Sequence, residues 1–167
     1  MGLFGTTLPY LLILSLALPV NARESARVVC VTDGDTLRIT YNGKEERIRL
    51  IGIDAPESRE NPRAIRESER TGNDMDAIIR MGKKATQFVE RLIKRGDQIS
   101  IEFDVEKRDG YRRLLGYVYL SDGRMLNEEI LKAGYANLLT HPPNVKYKDR
   151  FLKSYREARE DKRGLWK

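Results

Sequence analysis

The sequence is poor in the residues on which several common kinds of site depend. It contains one cysteine, Cys30, and one histidine, His141. A single cysteine excludes an internal disulfide framework and a cysteine-ligated metal site. A single histidine excludes a mechanism built on two histidines, and it leaves no basis for a zinc ion held by histidines. His141 lies in Thr-His-Pro-Pro, which is typical of a loop, and it receives no predicted role.

Long apolar runs are confined to the N-terminus, and no later stretch is long and apolar enough to span a membrane. Residues 11–20 are apolar, and the Val-Asn-Ala around their end fits a small-residue cleavage site. We therefore interpret residues 1–22 as a secretory signal peptide and residues 23–167 as the functional domain, which is secreted or held in the periplasm or at the cell surface. Because no positive charge precedes Arg23, the alternative is that residues 3–20 remain as an uncleaved membrane anchor.

Charge is abundant and unbalanced. The chain has 31 lysine and arginine residues against 25 aspartate and glutamate residues, which is a formal net charge of +6. A basic excess favours a polyanionic partner, such as nucleic acid. The length suits one domain with a modest core, and no internal repeat or low-complexity tract divides the chain.

The stretch from residue 33 to residue 57 predicts a β-hairpin. Two segments with alternating apolar residues flank the dipeptide Asn42-Gly43, the strongest short signal for a hairpin, because both turn positions need a positive φ. A straight hairpin with this turn places Asp35 opposite Leu50. The hairpin therefore carries an acidic residue near the start of its first strand.

A second acid, Asp54, follows the other strand of this hairpin. In a straight hairpin it lies roughly 13 Å beyond the residue opposite Asp35. The two carboxylates can share a site only if the strand curls back, and Gly52 is the position where a bend costs least. A small curled barrel meets this requirement.

The remaining patterns complete a five-stranded fold. Apolar alternation predicts further strands over residues 27–32, 98–105 and 113–120. Apolar residues at helical spacing predict three helices, marked by Met81, Ala85, Phe88 and Leu92, by Leu126, Ile130 and Ala133, and by Phe151, Tyr155 and Ala158. We interpret the polar segment 58–80 as a solvated, charged loop. Five short strands with a helix after the third predict an α+β protein, an OB-fold barrel with three packed helices.

Carboxylates and arginines are the groups left for chemistry near the hairpin. Asp35 and Asp54 offer hard oxygen ligands, which favour Ca²⁺ or Mg²⁺. Arginines beside such a metal suit phosphodiester hydrolysis, because guanidinium forks neutralise the charge that develops on the phosphoryl oxygens. The hairpin itself places Arg49 just upstream of Asp54. Arg113 belongs to a separate strand, and from the residues alone a surface charge is an equal interpretation.

Three motifs resemble those of the staphylococcal-nuclease (thermonuclease) family: Asp33-Gly34-Asp35-Thr36, Arg49-Leu50-Ile51-Gly52-Ile53-Asp54-Ala55-Pro56-Glu57, and Tyr111-Arg112-Arg113-Leu114. The resemblance extends from about residue 27 to residue 166, and the second motif is highly specific. It implies the same five-stranded barrel with helices beside it. It also implies a Ca²⁺-dependent phosphodiesterase that cleaves DNA and RNA and leaves 3′-phosphate products.

The resemblance further implies roles for single residues. The implied ligands of Ca²⁺ are Asp35, Asp54 and the Ala55 backbone carbonyl, with Glu57 acting through a water molecule. Arg49 and Arg113 would bind the phosphoryl group. Glu57 would act as the general base or, alternatively, would orient the attacking water.

The third motif leaves two alternatives open. The family usually has glycine where Arg112 stands, so Arg112 either adds a phosphate contact or replaces Arg113 as the phosphate ligand. Tyr111 either stacks on a substrate base or is a buried residue at the end of a strand. Residues 138–142 contain no aromatic side chain, where the family's best-known member has two tyrosines that contact nucleotide, and this predicts weaker base stacking.

Three functions compete at this stage. The leading one is a secreted, Ca²⁺-dependent, sugar-nonspecific nuclease, monomeric, with DNA and RNA as its substrates. The alternatives are a non-catalytic OB-fold module that binds nucleic acid, and a cell-surface adhesion or matrix protein held by an uncleaved N-terminus. A binding module has no need of the whole set Asp35, Asp54, Glu57, Arg49 and Arg113. No stable protein partner is implied, and membrane contact is expected only if the N-terminus stays uncleaved.

Overall fold

The computed structural model describes residues 23–167, so the signal peptide or anchor expected over residues 1–22 lies outside the described residues. Residues 23–167 form strands β1 (Glu24–Asp33), β2 (Thr36–Tyr41), β3 (Lys44–Leu50), β4 (Ile53–Asp54), β5 (Gln98–Glu102), β6 (Leu114–Tyr119) and β7 (Asn137–Leu138). The helices are α1 (Pro62–Thr71), α2 (Met75–Leu92), α3 (Leu126–Lys132) and α4 (Lys148–Glu160), followed by a 3₁₀ turn at Gly164–Trp166. None of these helices has the length and apolar character that a membrane crossing requires.

Five strands close into a barrel in the order β1, β2, β3, β6 and β5, with β5 returning to pair with β1. All neighbours are antiparallel except β3 and β6, which run parallel. Strands β4 and β7 form a separate two-stranded ladder. Helix α2 packs against β1, and α3 packs against β6. The predicted α+β class and OB-type five-stranded barrel are therefore confirmed.

Alternate residues of the barrel strands form the core. The innermost of these are at most 2% exposed: Leu37, Ile39, Ile48, Leu50, Ile99 and Ile101. Burial of each such side chain contributes roughly 1.5–3 kcal/mol to folding. Because successive residues of a strand point to opposite faces, Arg49 projects from β3 away from this core, between the two apolar residues that flank it. The core pattern thus directs Arg49 to the outside of the barrel.

The hairpin of β2 and β3 has the expected turn. Asn42 and Gly43 have φ values of 49° and 74°, the left-handed conformation that such a two-residue turn requires. The backbone nitrogen of Leu50 donates to the carbonyl of Asp35 at 2.9 Å, so these two residues are opposite one another as predicted.

The chain bends at Gly52, directly after β3. Gly52 has a φ of 85°, and a Cβ built there would come within 2.5 Å of the Phe151 ring. Both the conformation and the space therefore require glycine. After this bend the chain forms β4, with Asp54 at its end, and so returns the second carboxylate towards the first strand of the hairpin.

The interpretation of residues 58–80 as a solvated loop is wrong. Residues Pro62–Thr71 form α1, and α2 begins within the same segment, so the described chain has four α-helices instead of three. Asn61 caps the N-terminus of α1, Pro62 occupies its first turn, and Gly72 ends it in a left-handed conformation. The apolar face of α1 is short, with Ala64 as its buried residue, and this left apolar periodicity too weak to indicate a helix.

The other expected elements are confirmed, with differences at their ends. The three helices predicted from apolar spacing correspond to α2, α3 and α4. Strand β5 ends at Glu102, short of residue 105, and β6 begins one residue later than expected, at Leu114. Strand β1 is longer than residues 27–32, because its first residues, from Glu24, pair with β5 and close the barrel.

Candidate functional site

Arg49 joins the two acidic residues of the hairpin. Its Nη2 donates to Asp54 Oδ1 at 2.7 Å, and its Nη1 forms an ion pair with Asp35 Oδ2. The guanidinium is almost fully covered, with 7% of the residue exposed. The bend after β3 thus brings Asp35 and Asp54 to one guanidinium group, which a straight hairpin could not do.

Asp35 is the most deeply buried acid of the site, at 2% exposure. Its carboxylate accepts hydrogen bonds from Thr36 Oγ1 at 2.9 Å and from the Ala55 backbone nitrogen at 2.8 Å. The preceding Gly34 allows the chain around Asp35 to approach Ala55 this closely, because a Cβ at Gly34 would lie 2.7 Å from the Ala55 Cβ. A second hydrogen bond holds the same turn, because Ser58 Oγ donates to the Asp33 carboxylate. These contacts fix the turn after β1 against the chain after β4.

The charge of Arg49 is set by opposing effects. Burial lowers the pKa of Arg49 to about 10, the neighbouring Asp54 opposes this shift, and the cations Arg63 and Arg113 add to it. At neutral pH the guanidinium therefore remains protonated. A buried guanidinium is suited to bind a phosphoryl oxygen through charge-assisted hydrogen bonds.

Glu57 follows β4 and is 8% exposed. Asn61 Nδ2 donates to its Oε2 at 2.8 Å, and Arg63 Nη1 approaches its Oε1 at 2.8 Å. Arg63 also pairs with Asp54 Oδ1 through Nη2. Arg63 thus links the carboxylates of Asp54 and Glu57, as Arg49 links those of Asp35 and Asp54.

Asn61 and Arg63 are site residues that the sequence analysis missed. Both lie in the segment that we interpreted as a solvated loop. The available signal was Asn-Pro at residues 61–62, which is typical of a helix start and places the first turn of that helix close to Glu57 along the chain. The start of the helix therefore left only a weak local signal, and its contacts with the carboxylates depend on how the helix folds back.

The structure places Arg113 near Arg49. Both line a cavity of about 260 Å³, together with Gly52, Leu139 and His141. Arg113 is held by Asp109, which accepts from its Nε at 2.7 Å and from its backbone nitrogen at 2.9 Å. His141, which had no predicted role, contributes to the wall of this cavity.

Arg112 shares an outer groove with Arg113 and Tyr111, but it does not line the cavity that Arg113 shares with Arg49. The same groove includes Arg38 and Arg47, and the φ of Arg112 is 65°. This left-handed conformation favours glycine, which explains physically why a glycine is usual at this position among the proteins with this motif. Of the two arginines, Arg113 is the one that shares a cavity with Arg49.

Tyr111 is an exposed residue. It is 79% exposed, so the alternative of a buried tyrosine at a strand end is wrong. The guanidinium carbon of Arg113 lies 5.5 Å from its ring centroid. An accessible aromatic ring beside an arginine provides a surface on which a nucleic-acid base can stack.

The acidic residues have the donor chemistry of a hard-cation site. Asp35, Asp54 and Glu57 supply oxygens only, which suits Ca²⁺ or Mg²⁺. Asp54 is accessible, with 35% of its side chain exposed, and its Oδ2 makes no hydrogen bond within residues 23–167. In that range no three His, Cys, Asp or Glu side chains converge as a ligand group. The arginines pair with these carboxylates instead. The residues fit such a cation in chemistry, with Arg49 and Arg63 as competing charges.

The fold and this cluster together define a class of protein, an OB-type barrel that carries carboxylates and arginines beside a bent hairpin. Residues 47–167 match the family described as staphylococcal nuclease homologue. The chain is 31% identical to the thermonuclease of Staphylococcus hyicus, over 87% of this chain and 78% of that enzyme. It is 34% identical to endonuclease YncB of Bacillus subtilis, over 87% of this chain and 65% of that protein.

A third relative is an uncharacterized protein of Methanocaldococcus jannaschii, which is 40% identical over 84% of this chain and 70% of its own length. These matches cover most of the described residues. The chain belongs to the staphylococcal nuclease homologue family. The family resemblance stated from the three sequence motifs is thereby confirmed.

Proposed function

We propose that this protein is a Ca²⁺-dependent nuclease that hydrolyses phosphodiester bonds of DNA and RNA and leaves 3′-phosphate products. The observation that carries the proposal is the arrangement around Arg49. This arginine contacts Asp35 and Asp54, lies near Arg63, which holds Glu57, and lines a cavity with Arg113. The candidate base, the carboxylates and the phosphate-binding arginines are therefore within one small region of the protein.

The chemistry assigns one task to each group. Water attacks phosphorus on the side opposite the 5′-oxygen, Glu57 takes the proton of that water, and the bond from phosphorus to the 5′-oxygen breaks. Arg49 and Arg113 bind the phosphoryl oxygens, on which negative charge increases in the transition state. Asp35 and Asp54 would hold Ca²⁺, which when bound polarises a phosphoryl oxygen. The leaving 5′-oxygen takes a proton from solvent.

The substrate class follows from the groups beside Arg113. Arg113 and the exposed Tyr111 lie side by side, so a phosphate and an adjacent base can bind together. The contacts that the site offers are to phosphate and to a base surface, which DNA and RNA share. The absence of aromatic residues in 138–142 supports weak discrimination between bases.

The proposal includes secretion or retention outside the cytoplasm. The supporting observation is the apolar stretch 11–20, followed by small residues and the first charge at Arg23. The test is N-terminal sequencing of the protein recovered from the medium and from the cell fraction. A chain beginning at residue 23 in the medium or in a periplasmic extract is expected. An intact N-terminus confined to the membrane fraction would support the anchor instead.

A second candidate function is a non-catalytic module that binds nucleic acid. The observation that favours it is the pairing of Arg63 with both Asp54 and Glu57, because these ion pairs occupy carboxylate oxygens that a nuclease needs for its cation. Both candidates bind the same ligands. Only the nuclease converts them to shorter products.

The experiment is hydrolysis of a labelled DNA oligonucleotide and of the matching RNA, each with Ca²⁺, with Mg²⁺ and with a chelator. We expect cleavage of both with Ca²⁺, much slower cleavage with Mg²⁺, and none with chelator, because the oxygen ligands suit the looser Ca²⁺ shell. Mass spectrometry of the products identifies the 3′-phosphate. Full activity in excess chelator would contradict the metal mechanism.

Glu57→Gln separates the two candidate functions. The nuclease proposal expects this variant to bind the oligonucleotide as the parent does and to lose about two orders of magnitude in kcat, the typical contribution of a general base. The matched control is Glu60→Gln, an exposed glutamate three residues later, which should be as active as the parent. Binding without hydrolysis by the parent protein itself would favour the binding module.

A further inference from the structure

Helix α1 begins immediately beside Glu57. The N-cap residue Asn61 is four residues beyond Glu57, and Arg63 is the second residue of the helix. Both reach back to the same carboxylate. The segment that carries them is the polar segment whose folding the sequence did not reveal, and the catalytic steps proposed above assign it no task.

Asn61 has two functions with one side chain. Its Oδ1 accepts from the backbone nitrogens of Arg63 and Ala64, each at 2.9 Å, and this caps the helix. Its Nδ2 donates to Glu57 Oε2 at 2.8 Å. Because two backbone donors fix which atom of the amide is the oxygen, the NH₂ group must face Glu57. The cap therefore forces a hydrogen-bond donor onto the carboxylate.

Arg63 contacts the other oxygen of Glu57. Its Nη1 lies 2.8 Å from Oε1, whereas Asn61 holds Oε2. A carboxylate held at both oxygens by donors on one helical turn cannot rotate about its last bond without losing one of them. The same turn is anchored to the body of the protein, because Ala64, between the two contacts and the rest of α1, is fully buried.

We propose that the first turn of α1 is a positioning element of the nuclease site, in which Asn61 and Arg63 hold the Glu57 carboxylate in one orientation for the attacking water. This inference rests on the proposed function. Asn61 and Arg63 are positioning residues, since they act through Glu57. The first turn of α1 thus belongs to the catalytic site and is more than a surface helix end.

The test is Asn61→Ser, which keeps a helix cap but does not place an amide NH₂ on Glu57. A misplaced catalytic group can cost up to about 10²-fold in rate, and we expect kcat to fall about tenfold with KM unchanged. Helix content by circular dichroism and the melting temperature should equal those of the parent. A kcat equal to that of the parent would overturn the proposal.

A double-mutant cycle separates positioning from a general structural effect. Once Glu57→Gln has removed the base, Asn61→Ser should lower kcat no further, because the residue acts through Glu57. A merely structural role predicts the same additional loss in the Glu57→Gln background as in the parent, and this result would overturn the proposal.

Arg63→Gln supplies an independent variant, and Arg66→Gln is its matched control. Arg66 is an exposed arginine on the same helix and does not contact Glu57. We expect Arg63→Gln to lower kcat several-fold and Arg66→Gln to leave it unchanged. If the parent protein does not hydrolyse the oligonucleotide, the proposed function itself has failed. If the parent is active and both Asn61→Ser and Arg63→Gln match it, only the role of α1 is refuted.

Discussion

Gly82 of α2 is packed directly against the backbone of Glu57. A Cβ built on Gly82 would overlap the Glu57 carbonyl and would lie 2.6 Å from the Ser58 backbone nitrogen. The backbone around Glu57 therefore packs against α2 at Gly82. Only glycine leaves room there for the Glu57 carbonyl. Glu57 is thus fixed by α2 through its backbone and by α1 through its side chain.

We predict that Gly82→Ala destabilises the protein and lowers its activity. In an open helical position alanine would stabilise by about 0.5–1 kcal/mol, whereas here the added methyl group must displace backbone, which typically costs about 1–3 kcal/mol. Chemical denaturation measures whether the free energy of unfolding rises or falls in Gly82→Ala. Gly110→Ala is the control for stability, since nothing lies within 4 Å of a Cβ at that position. An increase in the free energy of unfolding for Gly82→Ala would show that the contact is not tight.

The arginines should act chiefly in the transition state. Lysine keeps the charge of Arg49 but not the fork that binds two oxygens, so Arg49→Lys is expected to lower kcat with little change in KM. Arg113→Lys should behave in the same way, because Arg113 shares the cavity with Arg49. Arg112→Lys is the matched control and should be nearly silent. Values of kcat and KM for the three variants on one oligonucleotide show which arginine is the second phosphate ligand. A defect confined to Arg112→Lys would assign that role to Arg112 instead of Arg113.

Arg63 should compete with a divalent cation for the site. Its guanidinium pairs with Asp54 and Glu57, so a cation that binds these oxygens must share or displace it. Arg63→Gln should therefore lower the Ca²⁺ concentration for half-saturation by about two- to fivefold, as expected for loss of ion pairing worth up to about 1 kcal/mol. The measurement is the Ca²⁺-dependent shift of the melting temperature, which needs no turnover. An unchanged half-saturation, equal to that of Arg66→Gln, would rule out competition.

Glu102 should make stability depend on pH. Burial would raise the pKa of this carboxyl, but hydrogen bonds from Lys146, Tyr147 and Tyr119 outweigh it, and the pKa is lowered. The tyrosine hydroxyls donate at 2.9 Å and 3.0 Å. A lowered pKa contributes stability that is present above the ordinary glutamate value of about 4.3 and is lost as the pH falls through the lowered pKa.

Replacement of Glu102 by glutamine tests this contribution. At neutral pH the free energy of unfolding should fall by about 1–3 kcal/mol, because the charge-assisted hydrogen bonds are lost. The difference from the parent should shrink as the pH falls below about 4.3. Urea denaturation between pH 3 and pH 7 measures both, with the exposed Glu90→Gln as the control. A constant difference at every pH would show that the charge of Glu102 is not the cause.

The prediction of the hairpin succeeded because its signals are local. Asn42-Gly43 requires a turn with two positive φ values, and this turn sets Asp35 opposite Leu50. The need for a bend at Gly52 followed from the distance between the two acids along a straight strand. The barrel and three of the helices followed in the same way, from apolar periodicity over short windows.

The prediction of a loop over residues 58–80 failed because periodicity was the criterion. Helix α1 buries little besides Ala64, and its ends are specified by Asn61 and Gly72, which act through backbone hydrogen bonds. Caps are weak signals when they stand without an apolar face. The two site residues missed, Asn61 and Arg63, were therefore lost together with the helix that carries them.

The sequence by itself determined the bent hairpin, the barrel class and which carboxylates and arginines are present near the hairpin. These features depend on local conformation and on the alternation of apolar and polar residues along the chain. Only the tertiary structure decided which groups meet. Arg63 reaches Asp54 and Glu57 because α1 folds back over them, and Arg113 shares the cavity with Arg49 because β6 pairs with β3. Such contacts depend on the packing of whole elements, and no short window of sequence contains that information.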